Sequence, residues 1–548
     1  MTSRRNFLQH AALGAAGVLL APLAGLHVCR PGTARSHIRG SLHGANHATG
    51  HLLREPGRLP APTRTQRVDV LIVGGGVAGL AARRELARRG FGPEQVLLVE
   101  LDEQPGGNSS AGRNAVASYP WGAHYLPVPD PRNHALLAFL QEAGVVTGTD
   151  AASGLPIYND YYLCHDPEER LYLRGHWQSG LVPELGVPAA EKVQIARFFR
   201  LIEEMRAARG TDGREAFRIP LAESSADARF RVLDEVTFAA YLDEHGFTGP
   251  HLRWYLDYCC RDDYGAPAAQ VSAWAGLHYF ASRKGRAHNA SAADVLTWPA
   301  GNGFLVEQLR RQASSPIHTN TVAYALHDTP TGLAADCYDV VTRQTTRVEA
   351  RQILLATPWF VTERLLAGLP EAPKPALAVH RAPWVVVNLT VDGLPQGPGQ
   401  PLSWDNVLFG TESVGYVNAS HQSLSLDAGG PKVITYYLPL PAADPVAARR
   451  LAYQTSYDEW VRRALAELET AHPGLTPHVQ RADVWVWGHG MATPTPGLLW
   501  GAARQQAARP WQGKLFFAHT DLSGMSIFEE GFYQGCRAAA ELASVRRA

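Results

Sequence analysis

Val68-Asp69-Val70-Leu71-Ile72-Val73-Gly74-Gly75-Gly76-Val77-Ala78-Gly79 is the stretch that decides the fold of this chain of 548 residues. Its first six residues form a nearly continuous apolar run, which is typical of a strand buried on both faces of a parallel sheet. The glycines have the spacing G-x-G-x-x-G, and Leu80 to Arg89 continues as a helical run. Val96 to Val99 predicts a second buried strand. This order predicts a strand–helix–strand unit of the Rossmann type.

Each glycine of the turn has its own task in such a unit. Gly74 permits the tight turn, Gly76 lets the backbone approach a pyrophosphate, and Gly79 lets the helix pack closely on the strand. Val77 and Ala78 begin the helix, whose free N–H groups and positive dipole end attract phosphates. The turn therefore predicts dinucleotide binding.

Further motifs indicate which dinucleotide is bound. Glu100 ends the second strand, where its carboxylate can accept hydrogen bonds from a ribose 2′-OH. The doublet Gly106-Gly107 follows, and then Gly122-Ala123-His124. Together these motifs resemble those of the flavin amine oxidase and phytoene desaturase superfamily, although Asn108 stands where that superfamily usually has an arginine. The resemblance implies FAD as the cofactor, with Gly106, Gly107 and Gly122 among the residues that bind it.

The C-terminal end of the chain adds to this resemblance. Gly513 to Ala518 predicts a strand, and a helix is expected to run through Glu530 to Leu542. By resemblance, Asp521 in the turn between them holds the ribityl or pyrophosphate end of the cofactor. The helix N-terminus near Met525 is expected to face the flavin, where its dipole stabilises negative charge.

The middle of the chain changes between helical and strand-like patterns. Pro188 to Ala208 and Phe238 to Cys260 have the apolar periodicity of helices. Trp384 to about Leu440 alternates as antiparallel strands do, and these strands are expected to form the floor of a substrate cavity. By resemblance, Val322 lends backbone contacts to the adenine of the cofactor.

The first residues predict an export signal. Ser3-Arg4-Arg5-Asn6-Phe7-Leu8 precedes an uncharged stretch from Ala11 to Leu26. The paired arginines resemble a twin-arginine signal, with an ordinary secretory signal or a basic tail as the alternatives. The stretch is too short and too weakly apolar to predict a stable transmembrane span. We expect the twin-arginine export machinery as a partner and a periplasmic or secreted location for the folded protein.

These patterns predict an α/β protein in which a Rossmann-like FAD-binding domain is interleaved with a mixed α+β substrate domain. The chain is expected to begin with a signal peptide (1–34) and a linker (35–65). The FAD-binding domain is expected to comprise three segments, residues 66–150, 301–365 and 496–548. The substrate domain is expected to comprise two, residues 151–300 and residues 366–495, of which the latter contains the antiparallel sheet.

Composition limits the partners. The 51 Lys and Arg residues balance the 51 Asp and Glu residues, which argues against a nucleic-acid partner because phosphate contacts need a basic excess. The six cysteines lack zinc-binding spacing, so no metal site is predicted. A small-molecule substrate is the expected partner of the site.

Several residues are candidates for the chemistry. Hydride transfer to flavin N5 needs a substrate C–H bond close to the ring and often a nearby base. His124 is the first candidate for a catalytic residue and His489 the second. Asp262 and Asp263 could bind a cationic substrate, with a solvated acidic turn as the alternative. Aromatic residues suit a ligand cavity or the core, and the substrate-binding candidates among them are Tyr264, Trp404 and Tyr416.

Three functions are compatible with these motifs. The first is an exported FAD-dependent oxidoreductase that acts on a small organic substrate such as an amine or a polyamine. Amine oxidases place an aromatic ring just before the C-terminal helix, but Ile527 occupies that position here. A flavin-dependent desaturase or isomerase of an apolar polyene, and a non-catalytic flavin-binding partner protein, therefore remain as alternatives.

Overall fold

Two large sheets organise the chain in the computed structural model, which describes residues 38–423 and 430–547. The predicted signal peptide lies outside these residues. The strands are β1 (Gly40–Gly44), β2 (Arg64–Val73), β3 (Val96–Val99), β4 (Ala111–Arg113), β5 (Ser118–Pro120), β6 (Tyr125–Pro127), β7 (Val146–Thr149), β8 (Pro156–Tyr158), β9 (Glu169–Leu173), β10 (His176–Ser179), β11 (Val295–Thr297), β12 (Ile317–His318), β13 (Thr321–Thr329), β14 (Gly332–Asp339), β15 (Gln344–Leu355), β16 (His380–Val391), β17 (Asp405–Leu408), β18 (Tyr416–Asn418), β19 (Lys432–Pro439), β20 (Val479–Thr493) and β21 (Leu515–Phe517).

Helices lie between these strands. They are α1 (His47–His51), α2 (Val77–Arg88), α3 (His134–Glu142), α4 (Ala189–Ala207), α5 (Ala228–Arg231), α6 (Phe238–Glu244), α7 (Pro250–Tyr264), α8 (Ala273–Ala281), α9 (Gly303–Arg311), α10 (Trp359–Leu365), α11 (Pro445–Gln454), α12 (Tyr457–Leu468), α13 (Ala502–Ala507) and α14 (Phe528–Arg547).

The first large sheet is the predicted Rossmann-like one. Its strand order is β12-β3-β2-β15-β14-β13, and β21 lies along the end of β15. Neighbouring strands from β12 to β15 are parallel, while β14 and β13 form an antiparallel edge. Val70 to Val73 and Val96 to Val99 are buried, as expected for strands covered by helices on both faces. The predicted strand–helix–strand unit is thus confirmed.

Close helix packing covers one face of this sheet. Helices α2 and α14 meet where Gly535 faces Ala78. A Cβ built on Gly535 would lie 2.2 Å from the Ala78 carbonyl oxygen. Only glycine permits this approach, which joins the first and last helices of the Rossmann-like half.

The second large sheet forms the substrate half, in the order β1-β20-β16-β19-β18-β17-β9-β10. Successive side chains of β16 pack in two different cores. Trp384 and Val386 pack in one core, and Val385 and Val387 pack in the other. Because successive side chains point to opposite faces, one face meets helices α4 and α6–α8, and the other meets α12. This arrangement confirms the expected antiparallel strands, although β9 and β17 are parallel to each other, as are β1 and β20.

The structure differs from the sequence prediction in two segments. The helix expected from Phe238 to Cys260 is two helices, because Gly246 adopts φ 65° and Pro250 begins a new helix. The expected linker, residues 35–65, contains strand β1, which pairs with β20 of the substrate sheet. Among the described residues, no helix has the length and hydrophobicity that a membrane crossing requires.

Candidate active site

The glycine turn is shaped by close backbone contacts. Gly74 has φ 104°, and a Cβ there would lie 2.6 Å from the Ala356 carbonyl oxygen. At Gly79 a Cβ would lie 1.9 Å from the Gly74 carbonyl oxygen. At Gly76, by contrast, a Cβ would meet no atom of the described chain within 4 Å. The backbone therefore faces open space at the N-terminus of α2, where a pyrophosphate would fit.

Glu100 fixes the neighbouring strand end to this turn. Its carboxylate accepts the backbone N–H of Gly75 and, at 2.8 Å, that of Asp102. Burial raises the pKa of Glu100 to about 7, against the effect of these hydrogen bonds. A second lone pair on each oxygen remains available for a ribose hydroxyl.

The Gly-Gly doublet packs directly on the turn. Gly106 donates its N–H to the Gly75 carbonyl at 2.9 Å, and a Cβ on Gly107 would lie 3.6 Å from the Cα atom of Gly76. Val322 is buried in β13, next to Thr321, which donates its N–H to the Glu100 carbonyl. These contacts bring the predicted cofactor-binding segments to one edge of the Rossmann-like sheet.

Asp521 is fully buried at the same edge. One oxygen accepts the N–H of Trp359 at 2.7 Å, and the other pairs with Arg381. Burial alone would raise the pKa of Asp521, but Arg381 and His519 hold it below its usual range. The carboxylate thus binds two segments of the protein together, whereas the resemblance predicts that it holds the cofactor.

A cavity lies where the two halves of the chain meet. The predicted cofactor-binding residues Gly122 and Met525 line it, and His124 lies beside them. The wall on the substrate side includes Trp384 and Tyr437. The cavity therefore joins the segment after the doublet, the turn before the last helix and the floor of the substrate sheet.

Two polar atoms in this cavity wall lack partners. Trp384 Nε1, a donor, and Asn302 Oδ1, an acceptor, are buried and have no hydrogen-bond partner within the described residues. Unpaired buried polar groups are costly. An isoalloxazine ring has donor and acceptor atoms along its edge, which is the chemistry that suits polar side chains of this kind. Together with the open space at the glycine turn, this observation fits the residues to FAD.

Carboxylates concentrate on the substrate side of the cavity. Asp262, Asp263 and Glu529 all line it. Burial and then the neighbouring Asp263 raise the pKa of Asp262, and burial raises the pKa of Glu529 to about 7. Burial is the first cause of both shifts, so the charged forms of these carboxyl groups are disfavoured in the cavity. A cationic ligand beside them would favour the charged forms.

Arg283 is the cation in the cavity lining that lies beside these acids. Arg283 lies 3.6 Å from Asp263 and donates to the Tyr125 hydroxyl at 3.0 Å. It therefore neutralises Asp263 more than Asp262. Asp405 lies outside the cavity lining and is half-buried. Its pKa is raised by desolvation and then by Glu169. Asp262, Asp263 and Glu529 form a surface that is called the acidic wall here. It has more carboxylates than Arg283 can neutralise.

His124 has the environment of a neutral histidine. Its ring stacks on Tyr437 with centroids 4.7 Å apart. Burial lowers the pKa of His124 to about 4, so the imidazole is uncharged at neutral pH. It can exchange a proton or a hydrogen bond with a ligand in the cavity.

Comparison with known proteins agrees with this architecture. Residues 72–143 match the family model of the NAD(P)-binding Rossmann-like domain. A protein of Mycobacterium tuberculosis that bears the name flavin-containing monoamine oxidase AofH is 31% identical over 177 residues. The matched region spans 32% of this chain and 32% of that relative, so the chain matches about a third of the relative's length.

Solved structures match over a longer range. A double mutant of putrescine oxidase and the cyclohexylamine oxidase from Brevibacterium oxydans both have a TM-score of 0.61. Each covers 88% of this chain and 100% of the other chain, at 17% and 16% sequence identity. These likenesses show that the chain shares the fold of these two oxidases.

Two of the predicted site residues lie away from the cavity. His489 is absent from the cavity lining and stacks on Phe360 with centroids 4.4 Å apart. Tyr416 is buried in the opposite core of the substrate sheet, where its hydroxyl contacts Arg170 and His472. Strand alternation explains both positions, since Gly490 and Val417, one residue further on, face the other way.

The other substrate-binding candidates lie near the cavity. Asp263 and Tyr264 line it, and the Tyr264 hydroxyl donates to the Ala275 carbonyl at 2.9 Å. Trp404 lies behind the wall, with its ring centroid 5.6 Å from that of His124. Ile527, just before the last helix, also lines the cavity. The roles proposed for these side chains remain predictions.

Sequence reasoning did not single out Glu529, Arg283, Trp384 or Tyr437. Glu529 could have been found, because it follows directly on Ile527 and Phe528 at the start of the last helix. The others lie on separate elements of the substrate half. Only the folded chain brings them to one cavity.

Proposed function

We propose that this protein is an FAD-dependent oxidoreductase that oxidises a small cationic substrate, namely an amine or a polyamine. The acidic wall of the cavity carries this proposal. Asp262 and Glu529 lie in the same cavity as Gly122 and Met525, which the superfamily resemblance places beside the flavin. Buried carboxylates with raised pKa values favour a ligand that brings positive charge.

The protein's own contribution is binding and orientation. Bound FAD supplies a hydride acceptor. Asp262 and Glu529 hold an ammonium group, and the rings of Trp384 and Tyr437 exclude water from the reacting carbon. His124, neutral at physiological pH, is placed to accept a hydrogen bond or a proton from the substrate.

The first experiment is anaerobic reduction by an amine panel. Purified protein is mixed with monoamines, diamines, polyamines and the matching neutral alcohols, and flavin absorbance is followed at about 450 nm. We expect bleaching by one class of amines and none by the alcohols. Asp262→Asn should raise the amine concentration needed about tenfold or more, whereas Asp243→Asn, on the exposed surface of α6, should leave it unchanged.

Other outcomes separate the remaining hypotheses. A flavin that no amine bleaches, but that an apolar polyene reduces, would replace the amine proposal by the desaturase. A flavin that neither class reduces would support a binding protein without turnover. Absence of bound flavin from protein refolded with FAD would overturn all three functions.

We further propose export of the folded protein to the periplasm or beyond through the twin-arginine machinery. The support is the segment Ser3-Arg4-Arg5-Asn6-Phe7-Leu8 followed by an uncharged stretch. Replacing both arginines by lysine, as Arg4→Lys and Arg5→Lys, should retain the protein in the cytoplasmic fraction. Unchanged export of the double variant would contradict the twin-arginine route.

A further inference from the structure

Asn302 lies where several of the predicted cofactor-binding segments meet. It directly precedes α9 and follows Gly301, where a Cβ would lie 2.8 Å from the Cα atom of His124. On the other side of the same helix start, a Cβ on Gly106 would lie 3.3 Å from Cγ1 of Val306. The start of α9 is therefore packed between the Gly-Gly doublet and the segment that contains His124.

Three of the four polar groups of Asn302 are satisfied within the chain. Its backbone N–H donates to the Ala123 carbonyl at 3.0 Å, and its carbonyl accepts the Val306 N–H at 3.0 Å. Its side-chain amide donates to the Tyr125 carbonyl at 2.9 Å. Because a carbonyl can only accept, this hydrogen bond fixes which end of the amide is Nδ2 and leaves Oδ1 as a free acceptor.

The fourth group, Oδ1, is buried without a donor. Asn302 is 1% exposed and lines the cavity, and Oδ1 has no hydrogen-bond partner among the residues that the structure describes. A buried acceptor without a donor is costly. An N–H group of a ligand in the cavity would remove this cost.

The position of Asn302 at the start of a helix makes this free oxygen unusual. An asparagine just before a helix normally accepts an N–H of the first turn with its side-chain oxygen. Asn133 does so before α3, where it accepts the Leu136 N–H at 3.3 Å. Asn302 forms no such capping hydrogen bond. Its side chain is held instead by Tyr125, on the side of α9 that contacts the cavity-lining segment.

The surroundings of Asn302 indicate which ligand supplies the N–H group. Asn302 contacts the segment after Gly122, which the superfamily resemblance places beside the flavin. The carboxylates that suit a substrate ammonium group lie on other elements, with Asp262 on α7 and Glu529 on α14. The isoalloxazine ring carries one N–H group when oxidised and gains another when reduced. The flavin ring is therefore the donor that fits this place.

We propose that Asn302 Oδ1 accepts a hydrogen bond from an N–H group of the isoalloxazine ring. This inference rests on the binding of FAD that the proposed function requires. The same side chain binds the Tyr125 carbonyl through Nδ2. Asn302 thus holds the ring relative to the segment that contains His124.

The first test compares ligands with and without the ring. Apoprotein of the wild type and of Asn302→Leu, which removes the polar atoms at similar volume, is titrated anaerobically with reduced FAD, oxidised FAD and ADP in a calorimeter. We expect the variant to bind reduced FAD about tenfold more weakly, because the reduced ring has every N–H group of the oxidised one. ADP, which has no isoalloxazine ring, should bind equally to both proteins.

Oxidised FAD shows which N–H group is bound. If the group is present in both redox forms, oxidised FAD loses the same affinity. If the group is present only after reduction, the affinity of oxidised FAD is unchanged and the midpoint potential of the bound flavin falls. A tenfold loss for the reduced form alone corresponds to about 30 mV for this two-electron couple, which a reductive titration against a reference dye measures.

Thermal unfolding separates cofactor binding from support of the fold. In the apoprotein, Asn302→Leu loses the hydrogen bond to Tyr125 but also removes the unpaired acceptor, so its unfolding midpoint should stay close to that of the wild type. The increase in the midpoint that reduced FAD causes should be smaller in the variant. A residue that only supports the fold would lower the midpoint of the apoprotein and leave the increase unchanged.

Asn133→Leu is the matched control. Asn133 also precedes a helix of the Rossmann-like half, but its side-chain oxygen is satisfied by Leu136. Its substitution should lower the unfolding midpoint of the apoprotein through loss of the cap. The affinities for FAD and ADP should equal those of the wild type.

The outcomes separate this inference from the proposed function. Wild-type affinity for reduced FAD in Asn302→Leu would overturn the inference and leave the proposed function standing. Equal weakening of ADP would also contradict it, because Asn302 would then support the cofactor edge as a whole. A wild-type apoprotein that binds neither FAD nor ADP would refute the proposed function itself.

Discussion

At the scale of single residues, burial sets the protonation state of the groups around the cavity. His124 is neutral because burial lowers its pKa to about 4. Glu529 changes charge near neutrality because burial raises its pKa to about 7. The burial that makes these carboxylates costly in the free protein is what gives a cation its affinity for the cavity.

The first prediction concerns the pH dependence of cation binding. As the pH rises through about 7, Glu529 and Asp262 lose their protons and the cavity gains negative charge. The affinity for a quaternary ammonium inhibitor, whose charge is permanent, should therefore increase with pH by up to about tenfold per unit below the pKa. Inhibition constants measured from roughly pH 6 to 8 verify this.

Substitution identifies the group responsible. Glu529→Gln should remove part of the pH dependence and leave the part that is due to Asp262, while Glu371→Gln, at an exposed position, should leave the profile as in the wild type. An affinity that falls as the pH rises would contradict the assignment of carboxylates to this wall.

At the scale of elements, the fold rests on glycine-mediated contacts between distant segments. Helix α14 packs on α2 only because Gly535 has no Cβ atom. This contact orients the N-terminus of α2, and with it the N–H groups that face the open space at Gly76. Helix α14 thus helps to hold the glycine turn at the N-terminus of α2 in place.

The second prediction is that Gly535→Ala destabilises the protein. Alanine in a helix gains about 1 kcal/mol over glycine from propensity. Here its Cβ would lie 2.2 Å from the Ala78 carbonyl oxygen, and overpacking of this kind costs typically about 1–3 kcal/mol. We expect the clash to prevail, with a lower free energy of unfolding in urea and weaker FAD retention.

Gly148→Ala is the control for this substitution. A Cβ there would meet no atom within 4 Å among the described residues, so its unfolding free energy should stay close to that of the wild type. A Gly535→Ala protein that is more stable than the wild type would show that the two helices can move apart freely.

The elements also show how far the sequence alone leads. Local patterns sufficed for β2, the glycine turn and β3, because the strand, turn and helix signals all occur within 32 consecutive residues, 68–99. They failed for His489 and Tyr416, since strand facing depends on register and bulges that no local pattern reveals. Strand β1 was missed because its partner lies more than 400 residues away.

At the scale of the whole molecule, the two halves are interleaved along the chain. The Rossmann-like sheet takes strands from residues 64–99, 317–355 and 515–517, and the substrate sheet takes strands from the segments between and from β1. Ile38–Ala548 forms one compact unit. Neither half has a continuous segment of chain that could fold by itself.

The third prediction is a single cooperative unfolding transition. Each half is built from several stretches of chain that are separated by stretches of the other half. Unfolding of one half should therefore unfold the other as well. Calorimetry of the holoprotein should give one endotherm, and flavin fluorescence and far-UV circular dichroism should change at the same temperature. Two resolved endotherms would contradict the interdependence of the halves.

The pairing of β1 with β20 also has a consequence for biosynthesis. Residues 40–44 find their partners at residues 482–486, so this pairing cannot form until the ribosome has made almost the entire chain. Strand β1 therefore joins the substrate sheet late, after the residues of the glycine turn and of strands β2, β3 and β15 have been made. The oldest part of the nascent chain is thus among the last to reach its position in the fold.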